Sequence, residues 1–237
     1  MKKFIATVLL MAAAGVAQAQ VTSNVSVTSD YRFRGISQTQ KGSALQGGFD
    51  YAHKSGAYVG NWNSNVSSAS YADSVGLEHD VYGGFKKEII KGITLDVGSY
   101  NYIYNRADGR FNSNSNTHEL YVGVERGPIS ARVSQSLGEY FGIANSSGTR
   151  YFEVNANIPL SKTLTANAHV GRTQIANNAT LNYTDYKVGG TMALAGLNVG
   201  VHYVGNAQYG SGAKAANTLN GMQLYKEAVV VSVGKSF

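Results

Sequence analysis

The residues of this chain able to move protons or bind hard cations are its 14 carboxylates and five histidines, and the absence of Cys excludes disulfides, thiolate metal sites and Cys nucleophiles. Two adjacent pairs, His79-Asp80 and His118-Glu119, have the composition of acid–base couples. On a strand, neighbouring side chains point to opposite faces, so neither pair can meet in one site. His169 can share a face with Glu153 and Asp185, yet no Ser stands in a G-x-S-x-G context. No H-E-x-x-H or other clustered ligand set marks a metal site. The sequence therefore points to no catalytic residue, cofactor or metal. The 20 Lys and Arg give a formal charge of +6 without forming a basic cluster, so nucleic acid is not an expected partner.

The elements that carry these residues are unusual in composition. Only 14% of the chain is charged, against about 25% in soluble domains. The mean hydropathy of −0.18 is nevertheless not that of a helical membrane protein. Past the first twenty residues no run of about 18 apolar residues could span a bilayer as a helix. Those first residues read as a leader: Lys2 and Lys3, an apolar stretch from Phe4 to Val16, and Ala17-Gln18-Ala19 as an A-x-A cleavage site. The expected organisation is a signal peptide over 1–19 and one domain over 20–237, with a formal charge of +4 once the two lysines are removed.

In that domain hydrophobicity alternates with period two, which puts apolar and polar sets on opposite faces of strands. Val21, Val25, Val27, Tyr31 and Phe33 oppose Thr22, Asn24, Thr28, Asp30, Arg32 and Arg34; Leu120, Val122 and Val124 oppose Glu119, Tyr121 and Glu125. Twelve such segments lie near 22–34, 43–52, 57–66, 75–86, 93–104, 117–126, 129–140, 150–158, 163–173, 183–194, 197–206 and 223–237. Asn101 interrupts an apolar row, and a bulge near Gly98 would restore the phase. Short connections, such as Gly127-Pro128 and Ala195-Gly196, interleave with long polar ones, such as 105–116 and 207–222. Both prolines fall at short connections, where no ladder N–H is lost.

This pattern predicts an all-β fold: a single antiparallel transmembrane barrel of about 12 strands, with short periplasmic turns and longer extracellular loops. A soluble sandwich also alternates. It is disfavoured by the even strand number, by the aromatic terminus at Phe237, and by aromatics near segment ends. Tyr31, Phe33, Tyr58, Trp62, Phe85 and Phe237 are accordingly expected to face lipid at its interfaces.

Several stretches also look familiar: SDYRFRGISQTQKG (29–42), GAYVGNWNSNV (56–66), LEHDVYGGF (77–85) and YFEVNANIPL (151–160). They resemble the TorF family of porin-like proteins, also called the Gcw_chp family. The resemblance spans the mature chain and is strongest in its first third. It implies a proteobacterial outer-membrane barrel acting as a passive channel, and it supplies no catalytic or ligand-binding residues. One departure lies in the last strand, the element that the barrel-assembly machinery is expected to recognise through Phe237. That machinery favours an apolar residue third from the end, where this chain has Lys235, which can snorkel to the rim.

If the apolar rows meet outer-membrane lipid, the polar rows line a lumen. Its acids are Asp30, Asp50, Glu78, Asp80, Asp96, Glu119, Glu125, Glu153 and Asp185. Its bases are Arg32, Arg34, Lys86, Arg132 and Lys187, joined by Asn61, Asn63, Asn155, Asn157, Tyr82, Tyr100, Tyr102, Tyr121 and His169. A wall of this kind favours passage of small hydrophilic solutes, and the excess of acids favours cations. The alternative is a non-conducting barrel whose charges pair into a plug, because eight strands are filled by side chains while sixteen leave a channel.

Overall fold

A computed structural model describes residues 20–71, 74–106 and 113–237; the predicted leader at 1–19 lies outside them. Twelve long strands form a closed antiparallel barrel. They are β1 (Gln20–Thr28), β2 (Ala44–Ala52), β3 (Ala57–Asn65), β4 (Ser74–Ile90), β5 (Ile93–Arg106), β6 (Thr117–Arg126), β7 (Ile129–Ser136), β8 (Arg150–Pro159), β9 (Leu164–Gln174), β10 (Tyr183–Leu194), β11 (Leu197–Ala207) and β12 (Ala228–Ser236). Each pairs with its sequence neighbours, and β12 closes the ring on β1 through pairs such as Val27↔Val233. Closure leaves no unpaired edge.

The faces are inverted relative to a water-soluble domain. Val21, Phe49, Val59, Leu120, Val170 and Val229 stand exposed on the outside, whereas Glu78, Asp80, Asp96, Glu119 and Asp185 are buried within. The five short turns lie at one end of the barrel with Gln20 and Phe237, and the six longer connections lie at the other. Among the described residues, the only helices are one turn at Ala213–Ala216 and a 3-10 turn at Ala179–Leu181.

Two sequence expectations are corrected. The first segment does not run to 34: the ladder of β1 stops at Thr28, and the chain turns into the barrel. Nor is there a bulge at Gly98, since the β4–β5 register is unbroken from Glu78↔Tyr104 to Glu88↔Thr94. Asn101 instead stays on the outer row opposite Val81, and its side-chain amide donates to the Val81 carbonyl at 3.1 Å.

Inside, tyrosines lie flat over glycines on the neighbouring strand, in the pairs Tyr82 with Gly60, Tyr58 with Gly84, and Tyr121 with Gly98. A strand glycine with no side chain lets the phenol cross the ladder and reach an acid beyond it. A Cβ on Gly98 would sit 2.5 Å from the Tyr121 hydroxyl and 2.5 Å from the Gly83 carbonyl oxygen. Gly98→Val should therefore destabilise the barrel by about 1–3 kcal/mol through overpacking. The measurement is the temperature at which the compact, SDS-resistant gel band is lost, which should fall; an unchanged temperature would contradict this packing.

Candidate functional site

The inner wall is organised by charge, in two halves. Toward the short-turn end Lys86 on β4 donates to Glu125 on β6 at 2.7 Å, and Arg132 on β7 donates to Asp96 on β5 at 3.1 Å. These side chains are partly open to solvent, with Lys86 21%, Glu125 18% and Arg132 24% exposed. The Arg132 guanidinium also lies 4.2 Å from the centre of the Tyr121 ring. Tyr82 donates to Asp50 at 2.6 Å and Tyr58 to Asp96 at 2.6 Å. On the far wall His169 sits between Asn155 (2.7 Å from Nδ1) and Asp185 (2.8 Å from Nε2), with Glu153 3.8 Å away. Lys187 pairs with His169 across the β9–β10 ladder and so shares its face.

The half toward the long loops is filled largely by an inserted loop. Residues 29–43 fold into the barrel, and a small hairpin of Arg32–Phe33 and Ile36–Ser37 turns at Arg34-Gly35. Both turn residues have positive φ, +46° and +78°, the signature of a two-residue type I′ connection. The tip is held by Arg34. Its Nη1 and Nη2 donate to the two Glu119 oxygens at 2.9 and 2.8 Å, Nη1 also donates to Tyr140 at 2.8 Å, and the guanidinium lies 3.9 Å above the Tyr151 ring. Burial works against the charge of Arg34, but the Glu119 carboxylate together with the Tyr140 and Tyr102 phenols outweighs it and the pKa is raised. Burial likewise pushes the Tyr140 phenol up. Arg32 ties the hairpin root, bonding Asp30 at 2.7 Å and the carbonyls of Leu224 and Lys226 at 3.0 and 2.8 Å. Beside it Tyr31, Phe33, Trp62, Tyr102 and Phe141 pack ring against ring, with centroids 5.2–5.5 Å apart.

The predicted interior residues fall into three groups. Asp50, Glu78, Asp80, Tyr82, Asp96, Glu119, Tyr121, Glu125, Arg132, Glu153, Asn155, His169, Asp185 and Lys187 lie on inner rows of strands. Asp30, Arg32 and Arg34 are also inside, but on the folded-in loop rather than on a strand. Asn61 and Asn63 are the third group and face outward. Asn61 pairs with exposed Phe49 and Asn63 with His79, because the inner row of β3 is Tyr58, Gly60, Trp62 and Ser64. Their polar groups are satisfied locally: Asn61 accepts from the Phe49 amide at 3.0 Å, and Asn63 contacts His79 at 2.7 Å.

The same shift of phase corrects four of the predicted lipid-facing aromatics. Tyr58 and Trp62 point inward on β3, and Tyr31 and Phe33 point inward on the loop. Each finds polar or aromatic partners there that lipid cannot offer. Phe85 and Phe237 are exposed on the outside. Sequence reasoning missed Tyr140, Phe141, Asn206 and Leu224, which hold the hairpin from other loops and from β11. The one local signal was Gly35 directly after Arg34, at the end of the stretch 22–34 read as strand.

Among the described residues, no group of three or more His, Asp and Glu could hold a metal ion. A closed twelve-stranded antiparallel ring with an apolar exterior and a charged interior defines a porin-like barrel. Solved structures with this fold include the KdgM porin (8% identity, TM-score 0.57, covering 91% of this chain and 98% of that one). The NanC porin is similar at 10% identity and TM-score 0.56, over the same shares of the two chains. The family described as "Bacterial protein of unknown function (Gcw_chp)" matches residues 12–237, and the chain belongs to that family. No curated protein sequence matches it.

Arg34→Ala leaves the Glu119 carboxylate buried without its partner and should cost ~3–5 kcal/mol, read as a lower urea midpoint. Arg34→Lys should recover less than half of that loss, because an ammonium cannot serve two carboxylate oxygens and stack on an aromatic ring together. Full recovery by lysine would show that charge alone holds the hairpin.

Proposed function

We propose that the protein is an outer-membrane porin-like channel through which small hydrophilic solutes and ions pass passively. The observation that carries this reading is the wet, charged chamber toward the short-turn end of a closed ring, where Lys86, Glu125 and Arg132 keep about a fifth of their side-chain surface open. A polar wall lets a solute exchange water contacts for protein contacts at low cost. The exposed apolar outer rows fit insertion in lipid, the leader fits export, and the strand ending at Phe237 fits delivery by the barrel-assembly machinery.

Cation preference follows from the ion pairs. Asp30, Asp96, Glu119 and Glu125 are each matched by a base, leaving Asp50, Glu78, Asp80, Glu153 and Asp185 against Lys187 on the inner wall. The reading is of a channel rather than an enzyme, with His169 held between Asn155 and Asp185 as part of the polar wall.

A second reading, a non-conducting barrel with a structural or surface-interaction role, is favoured by the buried hairpin across the long-loop half. Single-channel recording of the refolded mature chain in a planar bilayer separates the two. The channel reading expects discrete conductance, reversal potentials on the cation side in a salt gradient, and a larger conductance after removal of residues 32–37. Silence from both the native chain and the deletion would establish the non-conducting barrel, and clear anion selectivity would overturn the charge argument.

A further inference from the structure

Glu78 and Asp80 stand at alternate positions of β4, so both project inward from the same face about 7 Å apart along the strand. They are 1% and 2% exposed. Each has one oxygen occupied by a phenol: Glu78 Oε1 accepts from Tyr31 at 3.3 Å, and Asp80 Oδ2 accepts from Tyr100 at 3.0 Å. The other two oxygens, Glu78 Oε2 and Asp80 Oδ1, are buried without any hydrogen-bond partner in the protein. Among the described residues no base forms an ion pair with either acid; the nearby arginines are committed elsewhere, Arg32 to Asp30 and Arg34 to Glu119. Elsewhere on the wall Asp96, Glu119 and Glu125 meet arginine or lysine, Glu153 and Asp185 flank His169, and Asp50 accepts from Tyr82.

Burying an anionic oxygen without a partner is costly, and proteins that keep such groups pair them or use them to coordinate metals. We propose that Glu78 and Asp80 form a binding site for one divalent, oxygen-seeking cation of the Ca²⁺ type. The two carboxylates supply two negative charges, matching one divalent ion. The phenols of Tyr31 and Tyr100, already on the two carboxylates, would serve as neutral oxygen ligands; the stacked pair Tyr71 and Tyr104 lies beside them, Tyr104 donating to Tyr71 at 3.2 Å and Tyr71 in turn to Gln38. An all-oxygen set of carboxylates and neutral donors selects Ca²⁺ over the softer metals that prefer imidazole or thiolate. Tyr31 belongs to the folded-in loop, so the ion ties the root of that loop to the barrel wall.

The test is Tb³⁺ luminescence, because tyrosines this close to a bound lanthanide sensitise its emission. The full mature chain is refolded in detergent and checked for heat-modifiable mobility. Expected is saturable emission excited through the tyrosines and displaced by Ca²⁺. Glu78→Gln with Asp80→Asn should reduce it by about tenfold or more at the same metal concentration, whereas Glu139→Gln in an exposed loop should leave it unchanged. Ca²⁺ should also raise the melting temperature of the unaltered chain, since a ligand that binds only the folded state stabilises it. This second measurement decides the matter if the double variant does not fold. Absent emission, emission that survives the double substitution, or a melting temperature indifferent to Ca²⁺ overturns the site. If the variant instead melts higher than the unaltered chain in metal-free buffer and Ca²⁺ shifts neither, the pair is held by a proton and the proposal fails. None of these readings depends on whether the barrel conducts.

Discussion

The structure rests on the closure of β12 onto β1. Once the ring is shut, every strand has two hydrogen-bonded neighbours and none is left as an edge strand. The same closure divides space into one convex surface and one narrow interior. Period-two alternation then sorts side chains, valines and leucines outward and carboxylates inward, without further instruction from the sequence. Charges gathered in so small a volume must be matched, and the ion pairs of Lys86, Arg132 and Arg34 are that match. The interior order is thus a consequence of the closed ladder, not a separate design.

The two halves of the interior satisfy this requirement in different ways. Near the short turns, pairs that skip one strand, β4 to β6 and β7 to β5, stay in contact with water and are correspondingly weak and exchangeable. Near the long loops, one hairpin brings its own arginines and aromatic rings to meet the wall, so that polar and apolar partners are both buried. A twelve-stranded ring is wide enough to leave a lumen and narrow enough for a single loop to cross it.

How much of this was legible in the sequence depended on how strongly each segment alternated. Regular rows such as Leu120-Val122-Val124 fixed both the strand and its inward face, and the interleaving of short and long connections fixed the topology. In β3 both rows were ambiguous. Tyr58 and Trp62 outrank Val59 in bulk, yet the phenol of Tyr58 reaches an acid only from the inner side, while Asn61 and Asn63 settle their amides on neighbouring strands. Hydrophobicity reads bulk and cannot see such partners. After Thr28 the alternation of β1 continues in the sequence without a ladder to sit in, because the aromatic and charged residues from Tyr31 to Arg34 bond to residues far along the chain. The loop-filled half of the site was illegible for the same reason: its partners Glu119, Tyr140, Asn206 and Leu224 are brought together only by the closed ring.

That geometry has a consequence for the order in which the molecule takes shape. The hairpin follows the first strand directly, yet its anchors are 85 residues away at Glu119, 172 at Asn206 and 192 at Leu224. Contacts of such separation form late, after the loops they close have been ordered by other means. An early-made segment therefore waits for partners on β11 and in the loop before β12 to complete its set of anchors. Seating of Arg34 becomes a built-in report that assembly has finished.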